Sequence, residues 1–174
     1  KWLIEISENK ALGIINIHDQ DEYAFRGACE NGHLEVAKWI VEISETKKLG
    51  VINIHAENED AFRYACHNGH LEITKWLIEI SETKKLGAIN IHAQDEEAFR
   101  YVCLKGRLEV AEWLIEISEE KGLGTINIHA QDEDAFRWAC RNGHLEVAKW
   151  LIEISETTLS ASATTLSASA TTLS

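Results

Sequence analysis

The sequence predicts an all-α solenoid of stacked helix-turn-helix repeats with projecting loops, and three observations predict it. The segment Ile-Asn-Ile-His ends at His18, His55, His92 and His129, a period of 37 residues. Trp2, Trp39, Trp76, Trp113 and Trp150 keep the same step, as do Cys29, Cys66, Cys103 and Cys140. Within each period a glycine turn separates two stretches of helical apolar spacing, and the second is apolar on nearly every side. A single helix pair of that kind cannot bury its own tryptophan and isoleucines, so consecutive units must share an interior.

The period divides the chain into a partial repeat at 1–18, repeats at 19–55, 56–92, 93–129 and 130–156, and a tail at 157–174. In the first full repeat, Asp21 and Glu22 suit a helix N-terminus, and Ala24, Phe25, Ala28 and Cys29 recur at helical spacing before Asn31-Gly32 ends the element. The second helix, from Leu34 to Glu45, carries Leu34, Val36, Ala37, Trp39, Ile40, Val41 and Ile43. Its polar stripe is Glu35, Lys38, Glu42 and Glu45. Leu49-Gly50 is read as the stop, and Val51 to His55 as an extended connector to the next pair. Arg26, Arg63, Arg100 and Arg137 stand four residues after Glu22, Glu59, Glu96 and Glu133, which predicts i,i+4 ion pairs.

Composition narrows the function. With 29 acidic and 17 basic side chains among 174 residues, the formal charge of −12 repels phosphate backbones and anionic lipid, which argues against nucleic acid and membrane partners. No run approaches the ~18–20 apolar residues of a spanning helix, so a soluble chain is expected. There is no proline and no methionine, and the sequence opens at Lys1, which reads as a segment of a longer polypeptide.

The cysteines and the histidine ladder His18, His55, His92 and His129 fall one per stacked unit. Packed helices lie ~8–10 Å apart, whereas disulfide Cα pairs need ~4.4–6.8 Å and zinc holds nitrogen at ~2.0–2.1 Å. Neither disulfides nor a metal site is expected, and reduced cysteines fit an intracellular compartment, the cytoplasm first. Nucleophile-elbow, zincin, Walker and dinucleotide motifs are missing from the sequence. A general acid/base pair needs two distinct environments, yet Glu42, Glu79, Glu116 and Glu153 are four copies of one position. The expectation is a non-enzyme with no cofactor.

The run Asp134-Ala135-Phe136-Arg137-Trp138-Ala139-Cys140-Arg141-Asn142-Gly143-His144-Leu145-Glu146-Val147-Ala148-Lys149-Trp150-Leu151 resembles the ankyrin repeat, with Asn-Gly-His-Leu-Glu-Val its most specific piece. It departs from the family in having Asp-Ala-Phe-Arg where Thr-Pro-Leu-His is usual, and in a period of 37 rather than ~33. The long period is similar to ankyrin arrays encoded in large DNA viruses of amoebae, which leaves the virion open as a location. The resemblance implies a binding module without catalysis, its first helices and loops turned to a concave surface.

Variation between the units marks the candidate site. Tyr23, Gly27 and Glu30 become Asp60, Tyr64 and His67, then Glu97, Tyr101 and Leu104, then Asp134, Trp138 and Arg141. At about 100° per residue these three positions share one helix face, opposite Ala24, Phe25, Ala28 and Cys29. Tyrosine, tryptophan and arginine are the types that carry binding energy at interfaces. A protein partner is therefore expected on Tyr23, Glu30, Asp60, Tyr64, His67, Glu97, Tyr101, Leu104, Asp134, Trp138 and Arg141. The alternative is drift on a solvated face, with the aromatics packing between repeats. Ile14, Val51, Ala88 and Thr125 form a second variable set beside the loops.

A different function is also open. Trp2, Leu3, Ile4 and Ile6 begin midway through an apolar helix, which suits end-to-end self-association into a filament. The tail repeats Thr-Thr-Leu-Ser-Ala-Ser-Ala and reads as a linker, a strand-forming patch or an engineered extension.

Overall fold

The computed structural model describes residues 15–157, and all regular structure among them is helical. The helices are α1 (Asp19–Glu30), α2 (Leu34–Thr46), α3 (Ala56–Asn68), α4 (Leu71–Thr83), α5 (Ala93–Leu104), α6 (Leu108–Glu120), α7 (Ala130–Arg141) and α8 (residues 145–157). Trp2, Leu3, Ile4 and Ile6, and the tail from 158, lie outside the described residues. The described residues divide into two compact units, one of 15–65 with 72–89, the other of 66–71 with 90–157.

The first helix of each pair departs from expectation at its start. Gln20, Asp21 and Glu22 have φ of 50, 51 and 64°, and the equivalent residues from Glu57, Gln94 and Gln131 do the same. Three successive non-glycine residues thus form a left-handed turn, and the right-handed helix begins only at Tyr23, Asp60, Glu97 and Asp134. Asp21 and Glu22 are therefore not the first turn of an ordinary helix. Each left-handed residue costs on the order of 1–2 kcal/mol, so the turn needs external support, described below.

Turn chemistry then follows the sequence closely. The carbonyls of Ala28, Val102 and Ala139 accept the N–H of His33, Arg107 and His144, each at 2.9 Å. That six-residue closure requires a left-handed residue before the donor, and Gly32, Gly106 and Gly143 supply it at φ 79, 67 and 75°. The second helices end the same way, with Leu49, Leu86 and Leu123 N–H on the carbonyls of Ser44, Ser81 and Ser118. The left-handed residue there is Lys48, Lys85 or Gly122. The stop thus falls before Leu49-Gly50, and the glycine after the leucine serves the histidine of the preceding loop instead. A Cβ on Gly87 would meet His55 Nε2 at 3.3 Å, and one on Gly124 would meet His92 Nε2 at 3.0 Å.

Each residue of Ile-Asn-Ile-His has a separate task. In the three later copies the first isoleucine, Ile52, Ile89 or Ile126, is buried. Asn16, Asn53, Asn90 and Asn127 accept the N–H of the histidine two residues on, at 3.1 Å each, closing an Asx turn. The core is built from Phe25, Phe62 and Phe99, all fully buried, with Cys29, Cys66 and Cys103 four residues on, at 0 % exposure. Trp76 packs on Phe25 in the first unit and Trp150 on Phe99 in the second, ring centres 6.2 Å apart in both. Ser44, Ser81 and Ser118 are buried because their hydroxyls donate back to the carbonyl three residues earlier at 2.7 Å.

Phe136, the fourth copy of the core phenylalanine, is only half-buried. Replacing Phe99 by alanine is expected to cost about 3–5 kcal/mol, and Phe136→Ala less than about half of that, because less area leaves water. Urea unfolding of the two variants measures the difference.

Candidate functional site

The support for the left-handed turn is an arginine fork, and it shapes the candidate site. Arg26 Nε donates to the carbonyl of Asp21 at 2.8 Å and Nη2 to that of Gln20 at 3.1 Å. Arg100 repeats this on Asp95 and Gln94 with the same distances. The remaining donor reaches one repeat forward: Arg26 Nη1 to Asp60 Oδ2 at 2.6 Å, and Arg100 Nη1 to Asp134 Oδ2 at 3.1 Å. A planar guanidinium with five donors can serve three acceptors at once.

The expected i,i+4 pair between Arg26 and Glu22 is replaced by this arrangement. Glu22 is buried and turns the other way, accepting from His18 Nδ1 at 2.8 Å and from the Asn53 backbone N–H at 3.0 Å. Glu96 likewise faces His92 at 2.8 Å and the Asn127 N–H at 3.0 Å. Because residues 20–22 are left-handed, the face relation between positions 22 and 26 of a continuous α-helix does not hold.

The predicted residues now find distinct places. Asp60 is held between Arg26 and Arg63, so it belongs to the frame as much as to any surface. Asp134 is held similarly by Arg100 and, at 3.7 Å, Arg137. Tyr23 is 65 % exposed with its ring 6.0 Å from the Arg26 guanidinium carbon, and Tyr64 is 37 % exposed with Arg63 at 5.6 Å. Glu30 and Arg141 are exposed, and Glu97 is half-buried. His67 packs on Tyr101 with ring centres 4.8 Å apart, and Arg141 lies 5.2 Å above Trp138. In the second variable set, Val51 is 70 % exposed and Ala88 and Thr125 are exposed, while Ile14 lies outside the described residues.

In the second unit the structure brings four predicted residues together. Tyr101, Leu104, Asp134 and Trp138 line one open pocket of about 190 Å³ with Arg100. Two aromatic rings and a leucine supply its apolar surface, and the Arg100–Asp134 pair supplies its charge. Arg100 was missed as a lining residue because its ladder looked like an intrahelical support. The available signal was an aspartate 34 residues ahead of each of Arg26 and Arg100.

No group of three or more histidine, cysteine or acidic side chains that could hold a metal occurs among the described residues. Burial pushes the Cys29 and Cys103 thiols up to about 12 and holds Cys66 well above the ordinary thiol range. Cys140 is exposed. No described helix is long and apolar enough to cross a membrane.

Residues 1–86 match the family model described as ankyrin repeats in three copies. The solved structure of an ankyrin repeat family protein from Legionella pneumophila superposes with a TM-score of 0.59 at 28% identity, covering 86% of this chain and 39% of that one. This chain therefore spans well under half of that protein's length. No curated protein matches the chain. The fold is all-helical and of the ankyrin-repeat type, as the resemblance implied. Ankyrin repeats generally mediate protein–protein interaction and are typically non-enzymatic.

Two outcomes test the site's frame. Arg100→Ala, which leaves the exposed Gln94 and Asp95 carbonyls to water and removes the pair with Asp134, is expected to cost about 1 kcal/mol. Arg100→Lys should recover little, since one ammonium cannot reproduce the fork; equal stability of the lysine variant and the parent in urea would remove the fork's role. For the thiols, Cys140 is expected to react with an aromatic disulfide reagent at pH 8 at least about a hundredfold faster than Cys29, Cys66 and Cys103, read by mass spectrometry of labelled peptides.

Proposed function

We propose that this chain is a non-catalytic protein-binding module that takes its partner on the exposed face of its first helices, with repeats bounded at 19, 56, 93 and 130. The observation that carries this reading is the pocket of Tyr101, Leu104, Trp138, Arg100 and Asp134. It offers a partner an apolar wall on one side and a fixed ion pair on the other. Aromatic anchors ringed by polar groups are the usual centre of an interface. In the second unit His67, Glu97 and Arg141 belong to the same proposed face, and in the first unit Tyr23, Glu30, Asp60 and Tyr64 occupy the equivalent helical positions. The partner's binding residue is an apolar side chain sized to the pocket. The 37-residue period places the chain, in this reading, beside the long-period arrays of large DNA viruses of amoebae, and the free buried thiols suit a reducing compartment.

A second reading, end-to-end assembly, has its own observation. Ile128, His129, Glu133, Phe136, Leu151, Ile152 and Ser155 line an open face of about 230 Å³. Ile152 is 47 % exposed there, whereas its counterpart Ile78 is 6 %. That face is shaped to receive another repeat.

Tyr101→Ala with Trp138→Ala is expected to weaken capture of the native partner, identified by pull-down from the source and mass spectrometry, by about a hundredfold or more. The helical circular dichroism should be unchanged. Retained capture would move the site off this face, and a molar mass that rises with concentration in light scattering would favour assembly.

A further inference from the structure

In the second unit one period separates a covered face from an open one. His92 Nε2 lies 3.1 Å from the Leu123 carbonyl oxygen, Glu96 Oε1 accepts the Asn127 backbone N–H at 3.0 Å, and Phe99 packs on Trp150. The connector lying over the histidine and glutamate is Leu123-Gly124-Thr125-Ile126-Asn127, with Ile126 buried. The first unit lays its own copy, Leu49-Gly50-Val51-Ile52-Asn53, over His18 and Glu22. There the Asn53 N–H reaches Glu22 at 3.0 Å, and a Cβ on Gly50 would meet His18 Nε2 at 3.0 Å. Leu-Gly-x-Ile-Asn is therefore the segment that this face accepts.

At the next copy the same face stands open. His129 and Glu133 keep their mutual contact at 2.8 Å, yet their side chains are 55 and 52 % exposed, against 28 and 9 % for His92 and Glu96. Ile128 and Phe136 are half-buried where Ile91 and Phe99 are buried, and Ile152 is exposed where Ile115 is half-buried. The register calls for Leu-Gly-x-Ile-Asn at 160–164, and the sequence there reads Ser-Ala-Ser-Ala-Thr. That stretch has neither the leucine nor the isoleucine of a cover.

One connector has its isoleucine uncovered. Leu12-Gly13-Ile14-Ile15-Asn16 carries the same pattern, and Ile15 is 42 % exposed where Ile52, Ile89 and Ile126 are 3, 3 and 4 %. Asn16 accepts the His18 N–H as its counterparts do, so the described end of this connector has the same turn. Charge permits the match. Residues 9–18 contain Lys10 and no acidic side chain, so this segment can approach Glu133 although whole chains of net charge −12 repel one another.

We propose, building on the end-to-end reading above, that Leu12–Asn16 of a second copy of this chain docks on the face of Ile128, His129, Glu133, Phe136 and Ile152, joining copies head to tail. The two surfaces differ, so the contact is heterologous and each added copy leaves one connector and one face free. Growth past the dimer follows.

Ile15→Asp spoils the connector and leaves the face intact, and Ile152→Asp does the reverse. Light scattering at fixed ionic strength should give a molar mass that rises with concentration for the parent chain and stays monomeric for each variant alone. An equal mixture of the two variants should form dimers and nothing larger, because only one sound connector and one sound face remain. A mixture that stays monomeric would overturn the proposal. So would a variant that assembles like the parent, an outcome that leaves end-to-end assembly standing through some other contact. A parent chain that is monomeric at every concentration would remove both. A labelled peptide of residues 9–18 gives an answer even if a variant does not fold. It should bind the parent chain saturably and at least about tenfold more tightly than the same peptide carrying Ile15→Asp, since a charge replaces a buried isoleucine. Equal binding of the two peptides, or none, would overturn the proposal.

Discussion

A strained left-handed turn, and the arginine that holds it, is the constraint on which the other features rest. Gln20-Asp21-Glu22 and its three copies place non-glycine residues where their side chains crowd the backbone. Such a conformation persists only where its surroundings over-determine it. Here the guanidinium of Arg26 or Arg100 takes two carbonyls of the turn, while the glutamate at its end takes a histidine and a backbone N–H from the following loop. Reversing the helical sense for three residues is what separates the arginine from the glutamate. Were the segment an ordinary α-helix, the two would sit one turn apart and neutralise each other. The loop would then lose its carboxylate and the turn its cap.

That separation also decides which variable positions are free to vary. The arginine's last donor points to the first variable position of the next helix, where Asp60 and Asp134 accept it. An aspartate there is thus partly demanded by the frame. The second position is different. Tyr64, Tyr101 and Trp138 have ring contacts to Arg63, His67 and Arg141 respectively. Changing them alters what the surface presents. A surface built this way can diversify at one position while the Arg100–Asp134 ion pair stays fixed in the pocket's lining.

The sequence made the periodic features legible because they are local. Apolar spacing located Phe25, Phe62 and Phe99, and the glycine common to all four repeats located the inter-helix turns, since a left-handed glycine beside a helix end has a residue signature. The left-handed turn was not legible. Gln-Asp-Glu after a short loop is also what a helix N-terminus looks like, and the evidence against it lies 31 and 34 residues away in Asn53 and Asp60. The misplaced Arg26–Glu22 pair followed from that one error. Of the site, the shared face was readable from offsets of four and seven, but the pocket was not, because Tyr101 and Leu104 meet Trp138 only across neighbouring helices.

The same logic explains why the connectors vary so little. In Ile52-Asn53-Ile54-His55 both isoleucines are buried, the asparagine closes a turn, its N–H caps Glu22, and the imidazole bridges Glu59 to Leu86. Every side chain of the segment is thus committed, and the glycine after Leu86 is committed as well by the ring that rests against it. Diversity is pushed to the residue just before this segment, where Val51 is 70 % exposed, and to the outward face of the first helix. Conservation of the frame and freedom of the surface are two consequences of one set of hydrogen bonds. A substitution at Asn53 or His55 would therefore act through the position of the helix that follows, whereas one at Tyr101 or Trp138 changes the lining of the pocket itself.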